Sequence, residues 1–542
     1  MAHLIDISSP VAAGPSLYAG LAVFLVIVLL VRNYRYHGLN QYPGPVLARF
    51  TDLWRFLSVY RGKQQLDLRA LHEQHGDVVR LGPNSLSFSS PEARRQIYGQ
   101  TPRLTKSDFY PVFMQLSQGQ VLQSLFGTQD LAYHAKLRRT VTSAFSMTSI
   151  MQYEPRVNDT LRAFLRQTER LYAAEPDTVC NFVLWLQYFA FDVVNEITYS
   201  RRAGFFDTNS DVDGIVAWLA TAQDYQAPVG QMPWLDKILV KNPVRMLLSR
   251  LGWLDNSSGT ARFSRARMAE RYREMDDAKH GGGDAEKGTQ KKKDSMDLLT
   301  MFLRAQQADP GFFDDGRLLT MTTSITLAGS DTTAASLAAV FYHLLKNPPC
   351  LRRLVAEIDA AELEADQRPD DHEGAGIFTY VETQKLPFLH AVIQESFRMH
   401  PSIGMVLERL TPPEGLEIAG RFVPGDTIVG CNPWVLHERG EIFGDEVKQF
   451  RPERWLVDPS KDPAAERDRL RLMGQELFHF GGGNRTCLGK NIALLEMYKL
   501  VPSFLRRFEV QLTTDENWDL HNNWFVKPRK FDVKIFKRQE KK

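Results

Sequence analysis

Phe478 to Gly489 reads FHFGGGNRTCLG, with three successive glycines, Arg485 and a lone Cys487. A cysteine acts as a nucleophile when a nearby histidine or helix N-terminus lowers its pKa, or it binds a metal as a thiolate. His479 stands upstream, but no protease or transferase signature surrounds the two residues. No second Cys or His stands at zinc-ligand spacing. A metal held by Cys487 must therefore take its other ligands from elsewhere, and a porphyrin offers its nitrogens. Gly481, Gly482, Gly483 and Gly489 suit that geometry. A backbone passing under a flat macrocycle has no room for β-carbons, and glycine tolerates the turn. Amides of such a turn also hydrogen-bond the sulfur and tune its electron donation.

Three further groupings carry candidate chemistry. Arg317 to Lys346 reads as one long helix interrupted by AGSDTT, Ala328 to Thr333. Such a helix spans roughly 45 Å. Gly329 is costly in mid-helix, and the hydroxyls of Ser330, Thr332 and Thr333 compete for backbone carbonyls. Together they predict a local kink with room for dioxygen and water. Asp331 and Thr332 supply an acid and an alcohol for proton relay. In HAVIQESFRMHP, Glu395 and Arg398 share one helix face at i,i+3, and FRPERW places Arg454 between Pro452 and Trp455. In HAKLRRTVTSAFS, His134 and Arg138 share a face at i,i+4; by themselves both read as surface charges.

The spacing Phe480-x-x-Gly483-x-Arg485-x-Cys487-x-Gly489 resembles the haem-binding loop of cytochrome P-450 monooxygenases. The resemblance implies that Cys487 is the axial ligand of a haem b iron, that Phe480 packs beside it, and that Arg485 pairs with a haem propionate. AGSDTT resembles the family's oxygen-activating helix motif, in which Asp331 and Thr332 are the acid–alcohol pair. Glu395, Arg398 and Arg454 match its buried salt-bridge triad, a structural support for the haem loop. Arg138 matches a propionate contact. His134 stands where the family more commonly has Trp. The match runs from about Tyr42 to the C-terminus, and FRMHPSIGMVLERL and GRFVPGDTIVGCNPWVLHER are similar to fungal members of the pisatin-demethylase-like group.

The fold so implied is mainly α (α+β), a large α-helical prism with small β-sheets behind one N-terminal transmembrane helix. The activity implied is insertion of one oxygen atom from O2 into a lipophilic small molecule by hydroxylation, epoxidation or oxidative demethylation. Electrons come from NADPH through a separate cytochrome P-450 reductase, with cytochrome b5 a further candidate, in fungal secondary-metabolite biosynthesis. Alternatives are a haem-thiolate isomerase or dehydratase, or a non-catalytic membrane-anchored haem-binding protein. The intact Asp331–Thr332 pair and the intact loop weigh against both.

These residues must be positioned by a large, ordinary body. The 542 residues are 43% hydrophobic and 24% charged, compatible with one large α-rich enzyme domain. A net charge of +2 gives no support for nucleic-acid binding. Cys180, Cys350, Cys431 and Cys487 show no paired spacing, which fits a reducing compartment better than a disulfide framework. Residues 11–31, VAAGPSLYAGLAVFLVIVLLV, hold no charge, enough for one bilayer crossing. Arg32 and Arg35 follow it, which sets the remainder in the cytosol with 1–10 on the far side; the resemblance to microsomal members of the family implies the endoplasmic reticulum, with 1–10 luminal. YPGP, Tyr42 to Pro45, breaks the helix, so 32–48 reads as a basic proline hinge and 49–542 as the catalytic domain. Lys279 to Asp294 reads as a solvated loop within it. Phe109, Phe113, Met114, Ile325, Ala328, Ile403 and Met405 are candidate substrate contacts, equally readable as plain core.

Overall fold

The computed structural model describes residues 15–101, 103–175, 177–280, 297–365 and 377–539. The 1–10 segment, residues 11–14 and most of the Lys279–Asp294 loop lie outside the described residues. Helix α1, Pro15–Arg35, ends with Arg32 and Arg35 in its last turn, so it extends past the expected end of the apolar span. Its side chains from Tyr18 to Val31 are exposed, and no described part of the chain covers that stretch. A helix apolar on every face and unburied by protein is matched to lipid.

The expected proline hinge is packed against the body. The helical path breaks before YPGP, at His37 and Gly38 with φ of +41° and +81°; Tyr42 is buried and Pro43 O accepts from Arg80 N at 2.7 Å. Buried Arg80 donates to four backbone carbonyls: Asn33 and Pro83 at 2.6 Å, Tyr34 at 3.0 Å and Gly82 at 3.1 Å. Asn33 Nδ2 adds a bond to Phe50 O at 2.7 Å. One guanidinium thus ties the end of α1 to the catalytic body, a fan of donors that a lysine could not reproduce.

The helices that carry the site are α2, Leu131–Val141, capped by Asp130; α3, Phe182–Tyr199, capped by Asn181; and α4, Ile215–Val229. They are joined by α5, Asp315–Lys346, α6, Pro387–Met399, and α7, Lys490–Arg507. The 32 residues of α5 span about 48 Å, and Phe341 packs edge to face with Phe182 and Phe504, which are tilted to each other, where α3, α5 and α7 meet. The helical assignment of α5 continues without a break through Ala328–Thr333, where an interruption was expected. The hydroxyls find carbonyls without ending the helix: Thr332 Oγ1 donates to Ala328 O at 2.8 Å. Gly329 has a packing reason instead, since a β-carbon there would stand 2.7 Å from Val194 Cγ2 of α3.

Small sheets flank the helices. Strands β1, Val78–Gly82, and β2, Ser85–Phe88, form an antiparallel pair. Next come β3, Arg409–Leu410, and β4, Ile428–Cys431, in the order β1-β2-β4-β3. The β2–β4 pairing is parallel, with Phe88 opposite Cys431, so much of the helical chain lies between its two strands. Near the C-terminus, β5, Leu520–Asn522, and β6, Val526–Pro528, make a hairpin.

Candidate active site

The cysteine segment is a closed loop ahead of α7. Gly481 and Gly483 have φ of +70° and +62°, values that only glycine adopts readily. At Gly483 a β-carbon would come within 2.1 Å of the Tyr98 carbonyl oxygen, so both conformation and contact exclude a side chain. Gly489 has φ of −81°, and a β-carbon there would meet no protein atom; the protein's own packing does not require glycine at that position. Cys487 N–H donates to Phe480 O at 2.9 Å and Thr486 N–H to Gly483 O at 3.2 Å. Burial pushes the Cys487 thiol up, opposed by the backbone N–H groups of Gly489 and Lys490 and by Arg138. Phe480 packs edge-on to Phe397 at 5.3 Å.

Cys487 is nevertheless accessible, as is Ala328 in the middle of α5, with Gly329 and Thr332 half-buried between fully buried turns. Ser336 Oγ lies 3.4 Å from His479 Nε2, which brings the accessible strip of α5 to the segment that carries Cys487. Accessible surface deep inside a close-packed protein marks a cavity.

A group of cations lines the same region. Burial lowers the pKa of His134 to about 3, helped by Arg485, Lys106, Arg138 and Arg409. Burial, then Arg409 and Arg138, lower Arg485 to about 10; burial, then Arg409 and Arg485, depress Lys106. The protein offers them aromatic faces, Tyr110 and Phe126 for Lys106 and Tyr98 for Arg409, and carbonyl dipoles. Arg138 Nη1 donates to Thr486 O at 2.9 Å and Arg485 Nη1 to Leu125 O at 3.1 Å. Lys106 Nζ donates to Phe126 O at 2.6 Å and Arg409 Nη1 to Glu408 O at 2.8 Å. Arg485 Nη2 is buried without a partner. No ion pair joins any of the four to a carboxylate among the described residues. Buried charge without counter-charge is costly, so this cluster fits a dianionic group such as the two propionates of haem. Sequence reasoning found Arg138, His134 and Arg485 but missed Lys106 and Arg409, which lie in no motif and are brought in by a loop and by β3.

Asp331 and Thr332 are adjacent in sequence yet differently placed. Thr332 lies on the accessible strip. Asp331 is fully buried and held by three donors, Gln187 Nε2 of α3 and Gln223 Nε2 of α4, both at 2.5 Å, and Lys527 Nζ of β6 at 3.1 Å. None of these three was singled out from the sequence.

Glu395, Arg398 and Arg454 meet in a fully buried cluster. Arg398 grips both carboxylate oxygens at 2.9 and 2.8 Å, and Arg454 Nε donates to Oε1 at 2.9 Å. Trp455 Nε1 and Arg451 N complete the shell at 2.9 and 3.0 Å. Five donors on one carboxylate leave no capacity for a ligand.

Of the proposed substrate contacts, Phe109, Phe113, Ile403 and Met405 share one apolar cluster with Tyr110, Trp524 and Phe525. Met114 is half-buried, and Ile325 instead packs against the main core. Trp524, at the turn of the β5–β6 hairpin, has φ of +94°, strained for so large a residue, and lies 5.1 Å from Phe109 and 5.6 Å from Phe113.

The family model for cytochrome P-450 matches residues 43–535. A cytochrome P-450 monooxygenase of Emericella nidulans, cicH, is 37% identical over 94% of this chain and 97% of its own length. One of Aspergillus terreus is 36% identical over 94% and 98%, and vrtE of Penicillium aethiopicum, also a cytochrome P-450 monooxygenase, is 32% identical over 96% and 94%. A helical body with small sheets, an accessible cysteine in a glycine loop, and relatives matched along nearly their whole length agree with one another: the chain belongs to the cytochrome P-450 family of haem monooxygenases.

Proposed function

We propose that this protein inserts one oxygen atom of O2 into a lipophilic small molecule of fungal secondary metabolism. It would act on the cytosolic face of the endoplasmic reticulum, anchored by α1, with electrons delivered from NADPH by a separate reductase. The observation that carries this reading is the uncompensated group of buried Lys106 and Arg409 with half-buried Arg138 and Arg485 beside an accessible Cys487. Haem would be held by Cys487, with Arg485, Arg138, His134, Lys106 and Arg409 available to its propionates, and would supply electron uptake and oxygen activation when bound.

The chain's own residues do the rest. The thiol of Cys487 gives up its proton on ligation, with the amides at Gly489 and Lys490 favouring the thiolate. Gly483 lets the loop close on Tyr98, and Gly489 leaves the face beside the cysteine free of side chain. Thr332 presents its hydroxyl to the cavity, free to exchange its bond to Ala328 O for one to a water. Asp331, steered by Gln187, Gln223 and Lys527, replenishes protons from behind. The apolar cluster around Phe109, Phe113 and Met405 holds the substrate and excludes water.

Turnover by the purified full-length protein tests this. Product containing one atom of labelled O2, formed only when NADPH and reductase are both present, is expected. Reductase-independent rearrangement of a peroxide would instead make the protein an isomerase or dehydratase.

A further inference from the structure

His437 belongs to none of the groups above, yet it lies between two of them. It follows the short helix Pro433–Leu436, is 1% exposed, and uses both ring nitrogens. Nδ1 lies 3.1 Å from the Arg398 carbonyl oxygen, and Phe478 N–H donates to Nε2 at 2.8 Å. A ring nitrogen that accepts from an amide carries no proton, so the proton is on Nδ1 and is donated to Arg398 O. One neutral tautomer satisfies both partners. Burial, with Arg398 and Arg94 nearby, pushes the pKa to about 3, which keeps that tautomer neutral. The His437 carbonyl in turn accepts from Arg398 Nη1 at 3.1 Å.

The two ends of this bridge matter. Arg398 is the residue that grips Glu395 with two bonds. Phe478 opens the cysteine loop; its carbonyl accepts from Gly481 N–H at 3.1 Å, and the loop closes where Cys487 N–H meets Phe480 O. Phe478 is also fixed laterally by Tyr98, 4.7 Å between ring centres, and by Arg94 above its ring. Its amide, in a buried residue, has His437 as its acceptor, and a buried amide left without one is costly.

We propose that His437 is a positioning residue that transmits the order of the Glu395 cluster to the Cys487 loop, fixing where the loop begins and so where the sulfur sits. Its consequence for haem ligation rests on the reading of Cys487 given under Proposed function; the bridge itself does not.

The test uses the haem-loaded full chain with His437→Gln, His437→Asn and His437→Leu. Gln places an acceptor oxygen at the reach of Nε2. Asn reaches only the Nδ1 position, and Leu keeps bulk without either group. Two readouts are taken: amide hydrogen exchange at Phe478, and the fraction of reduced, carbon-monoxide-bound protein showing the red-shifted thiolate band. The expectation is slow exchange and a dominant thiolate band for wild type and Gln. For Asn and Leu, exchange at Phe478 should be about tenfold faster, the loss of one hydrogen bond, with most of the thiolate band gone. Leu matching wild type in both readouts, or Gln falling with Leu, overturns the proposal. So does a Phe478 amide that exchanges freely in wild type, a result that needs no variant to fold. A Cys487→Ala protein that keeps the red-shifted band would refute the ligand reading while leaving the exchange result to decide the bridge.

Discussion

Two groups of positive side chains in this protein, one buried and one partly so, differ in what answers their charge. Around Glu395, the guanidinium groups of Arg398 and Arg454 share one carboxylate, with Trp455 and Arg451 filling its remaining sites. Around Arg485, the cations Lys106, Arg138 and Arg409 meet carbonyl oxygens and one another, and Arg485 Nη2 has no partner. The first group is complete as the chain folds. The second is complete only with an added anion. The same residue type is thus structural in one place and a ligand cradle in the other, and the difference lies in the counter-charge.

The largest break in that comparison should come from Glu395→Gln. It leaves two arginines buried against a neutral amide, a loss of about 3–5 kcal/mol; thermal unfolding should show a collapsed midpoint or no soluble protein. Asp331→Asn comes next. It keeps the fold, because Gln187 still finds an acceptor oxygen and Gln223, whose Oε1 has no partner, can turn its amide to accept from the new NH2, but product formed per O2 consumed should drop about 100-fold, measured against wild type at equal haem content. Arg485→Met should be smaller and of opposite sign in the two states. Haem dissociation should speed roughly tenfold, the share of one charge-assisted hydrogen bond. The haem-free protein should be no less stable than wild type, since a cation without a counter-charge has been removed.

The smallest effect concerns His134. Burial and neighbouring cations hold it near 3 in the folded protein, below the ordinary histidine range near 6.5. As pH falls through about 6.5 the unfolded chain takes up a proton that folded His134 refuses. Stability is therefore intact above that pH and is lost progressively down to about pH 3. His134→Gln should recover about 1 kcal/mol at pH 5.5 and nothing at pH 8, read from denaturant midpoints of the haem-free protein. Equal midpoint changes at both pH values would remove the cation cluster from the account of that site.

What was legible from sequence were features compressed into short windows. The loop from Phe480 to Gly489, the Asp331–Thr332 pair and the i,i+3 spacing of Glu395 and Arg398 each show their residues within one turn or one loop. Arg454 needed the family resemblance to be joined to them. What was not legible needed the chain to return on itself. Lys106 and Arg409 reach the cation cluster from a loop and a strand some 300 residues apart, and Asp331 is held from α3, α4 and β6. Gly329 read as a helix-softening residue, but its demand is the approach of Val194, which no local pattern records. The proline stretch read as the helix breaker, but the helix ends ahead of it, with His37 and Gly38 left-handed, and the Arg80 fan that ties this segment to the body depends on carbonyl groups, which are invisible to side-chain patterns.

The central claim is that Cys487 is the one protein ligand of a haem seated on the uncompensated cations. Its most direct measurement is the absorption spectrum of the reduced, carbon-monoxide-bound protein, wild type beside Cys487→Ala. The account predicts a strongly red-shifted Soret band in wild type that is absent from the variant. A Soret band at the position typical of histidine ligation in wild type, or one unchanged in the variant, would contradict it.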